Sequence, residues 1–242
     1  MKNDIRRFQS IIDTSHDIVF FTGAGVSVES GIPDFRSMGG LFDEIRQSGN
    51  SPEYLLSRDH LDEEPERFVQ FYRKRLLTSD KHPNSVHRFI AEMETAGRSL
   101  GTVTQNIDGL HTEAGSSNVD ELHGSLNRFY CISCNQDYTK GALLQNDVMT
   151  CECGGILRPD IVLYGEMLDE RVLQSAQNKV SKADTLIVLG SSLVVNPAAY
   201  LLHYFKGHHL IIINREETPF DFMADLVINQ DMTTIIENIE HK

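Results

Sequence analysis

Four short runs of apolar, largely β-branched residues constrain this chain more than any other feature. They are Asp17–Thr22, Ser99–Thr104, Asp184–Leu189 and Leu210–Ile213, and each stops at small or polar residues. A run that is apolar at consecutive positions offers no face to water, so it suits a strand covered on both sides of a parallel sheet. Asp225–Ile228 is a weaker fifth candidate. Helical spacing fills the intervals. Ile5, Phe8, Ile11 and Ile12 make one face, and Val86, Phe89, Ile90 and Met93 make another. Pro65 opens a helix carrying Phe68, Phe71 and Tyr72, residues 169–183 carry Val172, Leu173, Ala176 and Val180, and Pro197 starts a helix through Phe205. Strands alternating with helices predict an α/β fold, an open parallel sheet with helices on both faces. Residues 128–158 break the alternation and read as a small inserted module.

At 242 residues the chain is long enough for one or two domains. No apolar run approaches the roughly 18 residues that span a bilayer. The first seven residues carry an acid and lead into no long apolar stretch, so a secretory signal is not expected and the cytoplasm is the default compartment. The net charge of −13 argues against binding nucleic acid or acidic membranes, which takes a basic face, and is compatible with a basic protein partner. It equally keeps a protein soluble.

Several strand ends carry chemistry. After the first strand come Gly23-Ala24-Gly25, where glycines allow a tight turn and a close approach to a pyrophosphate. The pattern is incomplete as a dinucleotide fingerprint: Val28 stands where a third glycine belongs, and no strand ending in an acid follows at the usual distance. An ordinary tight turn is the plainer reading. Beyond it, Ser30–Ser37 puts Phe35, Asp34 and Arg36 on one loop. The second strand runs into Gln105-Asn106-Ile107-Asp108, polar groups that a bound ribose or carboxamide would satisfy; Asp108 could equally cap the next helix. His111 reads as structural, whereas His123, beside Gly124, is a candidate general base. Gly190-Ser191-Ser192 and Asn214-Arg215-Glu216 close two further strands.

All four cysteines lie between positions 131 and 153. Cys131 and Cys134 form a Cys-x2-Cys knuckle, and Cys151 and Cys153 follow after a spacer suited to tetrahedral zinc, although as Cys-x-Cys. Reduced thiols or redox pairs are the alternative. Four thiolates would leave no open coordination position, so such a metal would hold the module together.

Taken in order, Gly23–Ser27, Ser30–Arg36, Thr104–Asp108, His123-Gly124, the four cysteines, Tyr164-Gly165-Glu166, Gly190–Ser192 and Ile213-Asn214 resemble the motifs of the sirtuins, NAD-dependent protein lysine deacylases. The resemblance runs from about residue 15 to about residue 232. It implies a Rossmann-like NAD-binding domain from 1–35, 80–127 and 160–242, a helical part of a small domain at 36–79, and a zinc module at 128–159. It implies NAD contacts from Gly23, Ala24, Gly25, Val28, Gln105, Gly190, Ser191, Ser192, Asn214, Arg215, Asp231 and Met232, with Phe35, Arg36, Ile107 and Asp108 around the nicotinamide. Asn106 would orient the nicotinamide ribose and a water, and His123 would be the general base. Val162, Leu163, Tyr164, Gly165 and Glu166, with Val195, match strands that clamp an acylated-lysine peptide.

The implied products are free lysine, nicotinamide and O-acyl-ADP-ribose. Departures from the family pattern are Val28 and Ser191 for threonine, Tyr164 for phenylalanine, and the position of Cys153. Tyr72-x-x-Arg75 has the spacing of members that remove succinyl or malonyl groups, but it lies in a basic run typical of a solvated face, so deacetylation is the default. Protein ADP-ribosyl transfer is the other enzymatic alternative, and a monomer is the simplest assembly.

Overall fold

The computed structural model describes residues 2–34, 40–47, 49–77, 80–146 and 150–239. Nine strands are present among them: β1 (Ile18–Thr22), β2 (Ser99–Thr104), β3 (Val119–Glu121), β4 (Gly124–Cys131), β5 (Asp137–Thr139), β6 (Leu157–Ile161), β7 (Thr185–Leu189), β8 (His209–Ile213) and β9 (Leu226–Ile228). The helices are α1 (Lys2–Thr14), α2 (Leu41–Gln47), α3 (Pro52–Leu55), α4 (Arg58–Glu63), α5 (Pro65–Arg75), α6 (Ser85–Thr95), α7 (Leu110–Glu113), α8 (Lys140–Asn146), α9 (Glu170–Lys182) and α10 (Met232–Glu237).

The apolar runs become β1, β2, β7, β8 and β9, and with β3 they form one parallel sheet in the order β3-β2-β1-β7-β8-β9. Alternate residues of β1 serve opposite cores. Ile18 and Phe20 pack with α1, α6 and α10, while Val19 and Phe21 pack with α9 and the segment Ala198–Tyr204. Every residue of β1 and β7 is buried, which is why neither run carries a polar alternation. The order of strands reverses between β1 and β7, and a crevice at the carboxyl ends of strands forms at such a point.

The helix expected from Pro197 is a 3-10 segment, Ala198–Tyr204, capped by Pro197 itself. Residues 128–158 are not strandless: β4, β5 and β6 build a three-stranded antiparallel sheet in the order β5-β4-β6. It packs against α5 through Phe68, Val69 and Tyr72, which meet Phe129 and Leu157 in a third core. No helix among the described residues is long and apolar enough to cross a membrane.

Candidate active site

A cleft of about 900 Å³ opens at the carboxyl ends of β1, β2, β7 and β8, between the large sheet and the segment that follows β6. Ala24, Gly25 and Val28 line it from the segment after β1, and Gln105, Asn106 and Ile107 from the end of β2. Gly190, Ser191, Ser192 and Val195 contribute from the end of β7, and Asn214, Arg215, Asp231 and Met232 from beyond β8 and β9. His123 and Val162–Glu166 form the facing wall. Gly23 and Asp108 are not part of this lining. Phe35 and Arg36 lie outside the described residues.

Gly25 and Gly190 need their missing side chains for each other. A Cβ on Gly25 would stand 2.7 Å from Gly190 Cα, and Gly190 has a positive φ of 59°. The β1 and β7 turns therefore nest backbone to backbone, and the Gly25 amide donates to the Gly190 carbonyl at 2.9 Å. The glycines of the first turn answer a packing demand within the protein before any demand of a ligand. The chain then enters a 3-10 helix, Ala24–Ser30.

The end of β2 is the most ordered polar wall of the cleft. Asn106 is 4% exposed, and its Nδ2 donates to Ser27 Oγ at 3.1 Å. Ser27 Oγ donates onward to Asp108 Oδ2 at 2.7 Å, and Asp108 Oδ1 accepts the Leu110 amide at 2.9 Å. Asp108 thus holds the first amide of α7 from the residue before the N-cap, Gly109, and anchors Asn106 through Ser27. Burial raises the Asp108 pKa against these hydrogen bonds. With one Nδ2 hydrogen given to Ser27, Asn106 keeps its carbonyl oxygen and a second N–H for a ligand.

His123 Nδ1 lies 3.0 Å from the Gln105 carbonyl. A carbonyl only accepts, so Nδ1 carries the proton and Nε2 the lone pair of the neutral ring. Gln105 Oε1 accepts from Ser191 Oγ at 3.1 Å, while its buried Nε2 has no protein partner among the described residues. An unpartnered donor at the wall of a polar cleft fits a bound ligand with acceptor oxygens, as NAD has. At the far end Arg215 lies 2.8 Å from Asp231 and 3.4 Å from Glu29, tying three cleft-lining segments together.

The wall after β6 differs from the strand expected for Val162–Glu166. Only Tyr164 forms an isolated bridge there, to Ser57. The amides of Val162, Leu163, Tyr164 and Glu166 donate to His123 O, Glu166 Oε2, Leu56 O and Leu163 O. A peptide laid along this segment would have to donate its own amides to the segment's carbonyls. Glu166 is also not a free carboxylate: Arg158 holds both its oxygens, at 2.6 and 3.0 Å. Burial opposes ionisation of Glu166, but Arg158 and the Leu163 amide outweigh it and the net shift is downward. Tyr72 and Arg75 do not meet in the cleft. The Tyr72 ring is fully buried with its hydroxyl 3.1 Å from Leu157 O, and Arg75 pairs with Glu44 at 3.0 Å.

The four cysteine sulfurs lie within 4.8 Å of one another, with Cys131–Cys153 at 3.5 Å and Cys134–Cys151 at 3.6 Å. Tetrahedral zinc with its usual thiolate bonds spaces sulfurs by about 3.8 Å, so the set fits that ion. Tyr138 donates its hydroxyl to Cys151 Sγ at 3.2 Å, which favours the thiolate. Gly155 packs directly on the cluster, since a Cβ there would come within 2.5 Å of Cys131 Sγ.

Sequence reasoning did not find Ser27, which orders Asn106, or Arg158, which holds Glu166. Ser27 falls within the Gly23–Ser27 motif, but nothing local shows its role, because its partners lie about 80 residues away.

A doubly wound parallel sheet, a glycine-lined crevice where its strand order reverses, and an appended four-cysteine module define an α/β dinucleotide-binding class with a candidate structural metal site. A model of the Sir2 family matches residues 23–197. The chain is 59% identical over 239 residues to an NAD-dependent protein deacetylase of Staphylococcus epidermidis, covering 98% of this chain and 97% of that one. It is 59% identical over 240 residues to one of Staphylococcus aureus, covering 99% of each. A solved Sir2 with a deacetylated p53 peptide and 3′-O-acetyl ADP-ribose superposes with a TM-score of 0.88 at 36% identity, over 97% of this chain and 96% of that one. A Sir2 with p53 peptide and NAD+ gives 0.83 at 37% identity, over 96% and 95%. The chain belongs to the Sir2 family.

Proposed function

We propose that this cleft performs NAD-dependent deacetylation of protein lysines, with His123 as the base and Asn106 orienting the reacting ribose. Membership of the family and likeness over the whole chain to relatives named NAD-dependent protein deacetylase make this an NAD-dependent deacetylase. The observation that carries the residue roles is that Asn106, Gln105 and His123 line one cleft, with His123 held by the Gln105 carbonyl. When bound, NAD supplies an electrophilic ribose carbon and a good leaving group.

The chain's own groups do the rest. The Ser27–Asp108 pair fixes the Asn106 amide, so its oxygen can hold a ribose hydroxyl or a water. His123 Nε2 takes a proton from a ribose hydroxyl, and the Gln105 carbonyl keeps the ring in the tautomer that can do so. Gln105 Nε2 and the Ser191–Asn214 side of the cleft bind the cofactor. Phe35 and Arg36 are assigned to the nicotinamide end, and Val162–Gly165 with Val195 to the peptide. Cys131, Cys134, Cys151 and Cys153 would hold a zinc ion whose role would be to bind the module together. The large sheet forms the NAD domain, and residues 36–79 with 128–159 form the smaller one.

Phe42, Leu56, Leu76 and Ile107 make part of the lining apolar, which suits a neutral acyl chain. The test is mass spectrometry of an acetyl-lysine peptide with and without NAD. Free lysine peptide, nicotinamide and O-acetyl-ADP-ribose should appear only with NAD, and His123→Ala should abolish them. ADP-ribose left on protein without deacetylation would replace this reading with a transferase. Arg75→Ala should leave deacetylation unchanged; a selective loss on succinyl peptides would overturn the neutral-acyl assignment.

A further inference from the structure

We infer that Thr104, braced by Thr22 and His111, is a positioning residue that sets the backbone of Asn106 for catalysis. The inference rests on the role given to Asn106 above. The Asn106 amide donates to Thr104 Oγ1 at 3.0 Å. The same oxygen accepts from Thr22 Oγ1 at 2.8 Å, and Thr22 Oγ1 lies 2.9 Å from His111 Nε2.

The direction of this chain of protons follows from Thr22 being the donor to Thr104. Thr22 spends its only hydrogen on Thr104, so it must accept from His111, and His111 is the Nε2–H tautomer. Thr104 Oγ1 therefore offers its lone pairs to two donors at once. Thr22, Thr104, His111 and Asn106 are 0, 2, 2 and 4% exposed, so no water from bulk replaces a missing partner.

The arrangement sits where the sheet gives out. β2 ends at Thr104, and the Gln105 amide makes the last bond to β1, to Thr22 O at 3.0 Å. From Asn106 onward the backbone has left the ladder. Ser27 holds the side chain of Asn106 and Thr104 holds its amide, two independent ties on either side of its Cα. Each tie reaches a different element, because Ser27 belongs to the segment after β1 while Thr22 and His111 link β1 to α7. A displacement of about 1 Å in a positioned group costs on the order of a hundredfold in rate, so a lost tie shows in turnover before it shows in binding.

The experiment measures kcat and the KM for NAD on an acetyl-lysine peptide, with melting temperature followed alongside. Thr104→Val keeps the shape and removes the acceptor. It should lower kcat about tenfold, the equivalent of one net hydrogen bond, with KM within about twofold. Thr104→Ser restores the hydroxyl and should recover kcat to within about threefold. Thr22→Val leaves the Asn106 tie but removes the brace, and should lower kcat by about threefold; it carries the test if Thr104→Val does not fold. In an Asn106→Ala background, Thr104→Val should have no further effect, because it acts through Asn106.

Wild-type kcat in Thr104→Val, failure of serine to rescue, or an equal loss in the Asn106→Ala background would each overturn the inference. If Asn106→Ala is impaired and Thr104→Val is not, only the brace falls. If Asn106→Ala keeps full kcat, the role of Asn106 falls and takes the brace with it.

Discussion

Lowering the pH from 8 to 5 should cost this protein about 4 kcal/mol of stability through two histidines alone. His87 and His111 stack inside the fold with ring centroids 4.9 Å apart. Burial drives the His111 pKa down to about 4. Burial, followed by the neighbouring His111 and Arg88, drives His87 down to about 3. Both values lie below the ordinary 6.5, so the folded protein keeps two neutral rings where the unfolded chain takes up two protons. The stability they contribute is intact above pH 6.5 and is lost as the pH falls from there toward the folded values.

At pH 5 the unfolded chain gains about 1.36 kcal/mol for each pH unit below 6.5, or about 2 kcal/mol per histidine. The figure depends only on both folded values lying well below 5. Carboxylates are common to the two proteins compared below, so their titration cancels in the difference. The assay is urea unfolding at pH 8, 6.5 and 5 of the wild type and of a His87→Leu, His111→Gln variant, whose glutamine amide can still reach Thr22. Zinc loss and the other histidines are common to both proteins, so the difference in their pH dependence isolates the pair. A difference of about 4 kcal/mol is expected between pH 8 and 5. A difference under about 1 kcal/mol would show that the buried rings are protonated in the folded state, and the argument would fail.

Other outcomes follow from the same structure. Metal analysis should find one zinc per chain, and its removal by a chelator should lower the melting temperature, as should Cys134→Ser; an unchanged melting temperature in metal-free protein would reject a structural ion. Gly25→Ala forces a Cβ to within 2.7 Å of Gly190 and should destabilise by about 1–3 kcal/mol while weakening NAD binding. Calorimetry with NAD reads the second effect. Glu166→Gln leaves the Arg158 guanidinium, 2% exposed as a residue, without its counter-charge and should cost about 3 kcal/mol in denaturant unfolding. A loss below about 1 kcal/mol would mean that the carbonyls of Pro159 and Ile161 hold Arg158 unaided.

The strands legible in the sequence were those buried on both faces. β1, β7 and β8 are runs in which nearly every residue faces a core, so composition alone reports them. β3 was illegible because Val119-Asp120-Glu121 reads as loop; it exists by pairing with β2, and Asp120 is tolerated there because Lys179 pairs with it at 2.8 Å. β4 and β6 carry Asn127, Arg128 and Pro159, and their apolar residues find a core only when α5 arrives from about 60 residues upstream. The cleft was legible as a set of strand ends. Its internal order was not, since Ser27–Asn106, Ser191–Gln105 and Thr22–Thr104 join residues 79, 86 and 82 positions apart. Glu166 shows the opposite limit: the motif marked the residue, but only its embrace by Arg158 shows that it stiffens the wall of the cleft.

β4 begins at the residue after His123 and ends on Cys131. One extended piece of backbone therefore has the imidazole at its head and the metal site at its foot, and β6 pairs along it while the Val162 amide reaches the His123 carbonyl. Whatever loosens the cysteine end of this strand is therefore transmitted along continuous backbone toward His123, so the metal site and the cleft are mechanically joined although about eight residues apart.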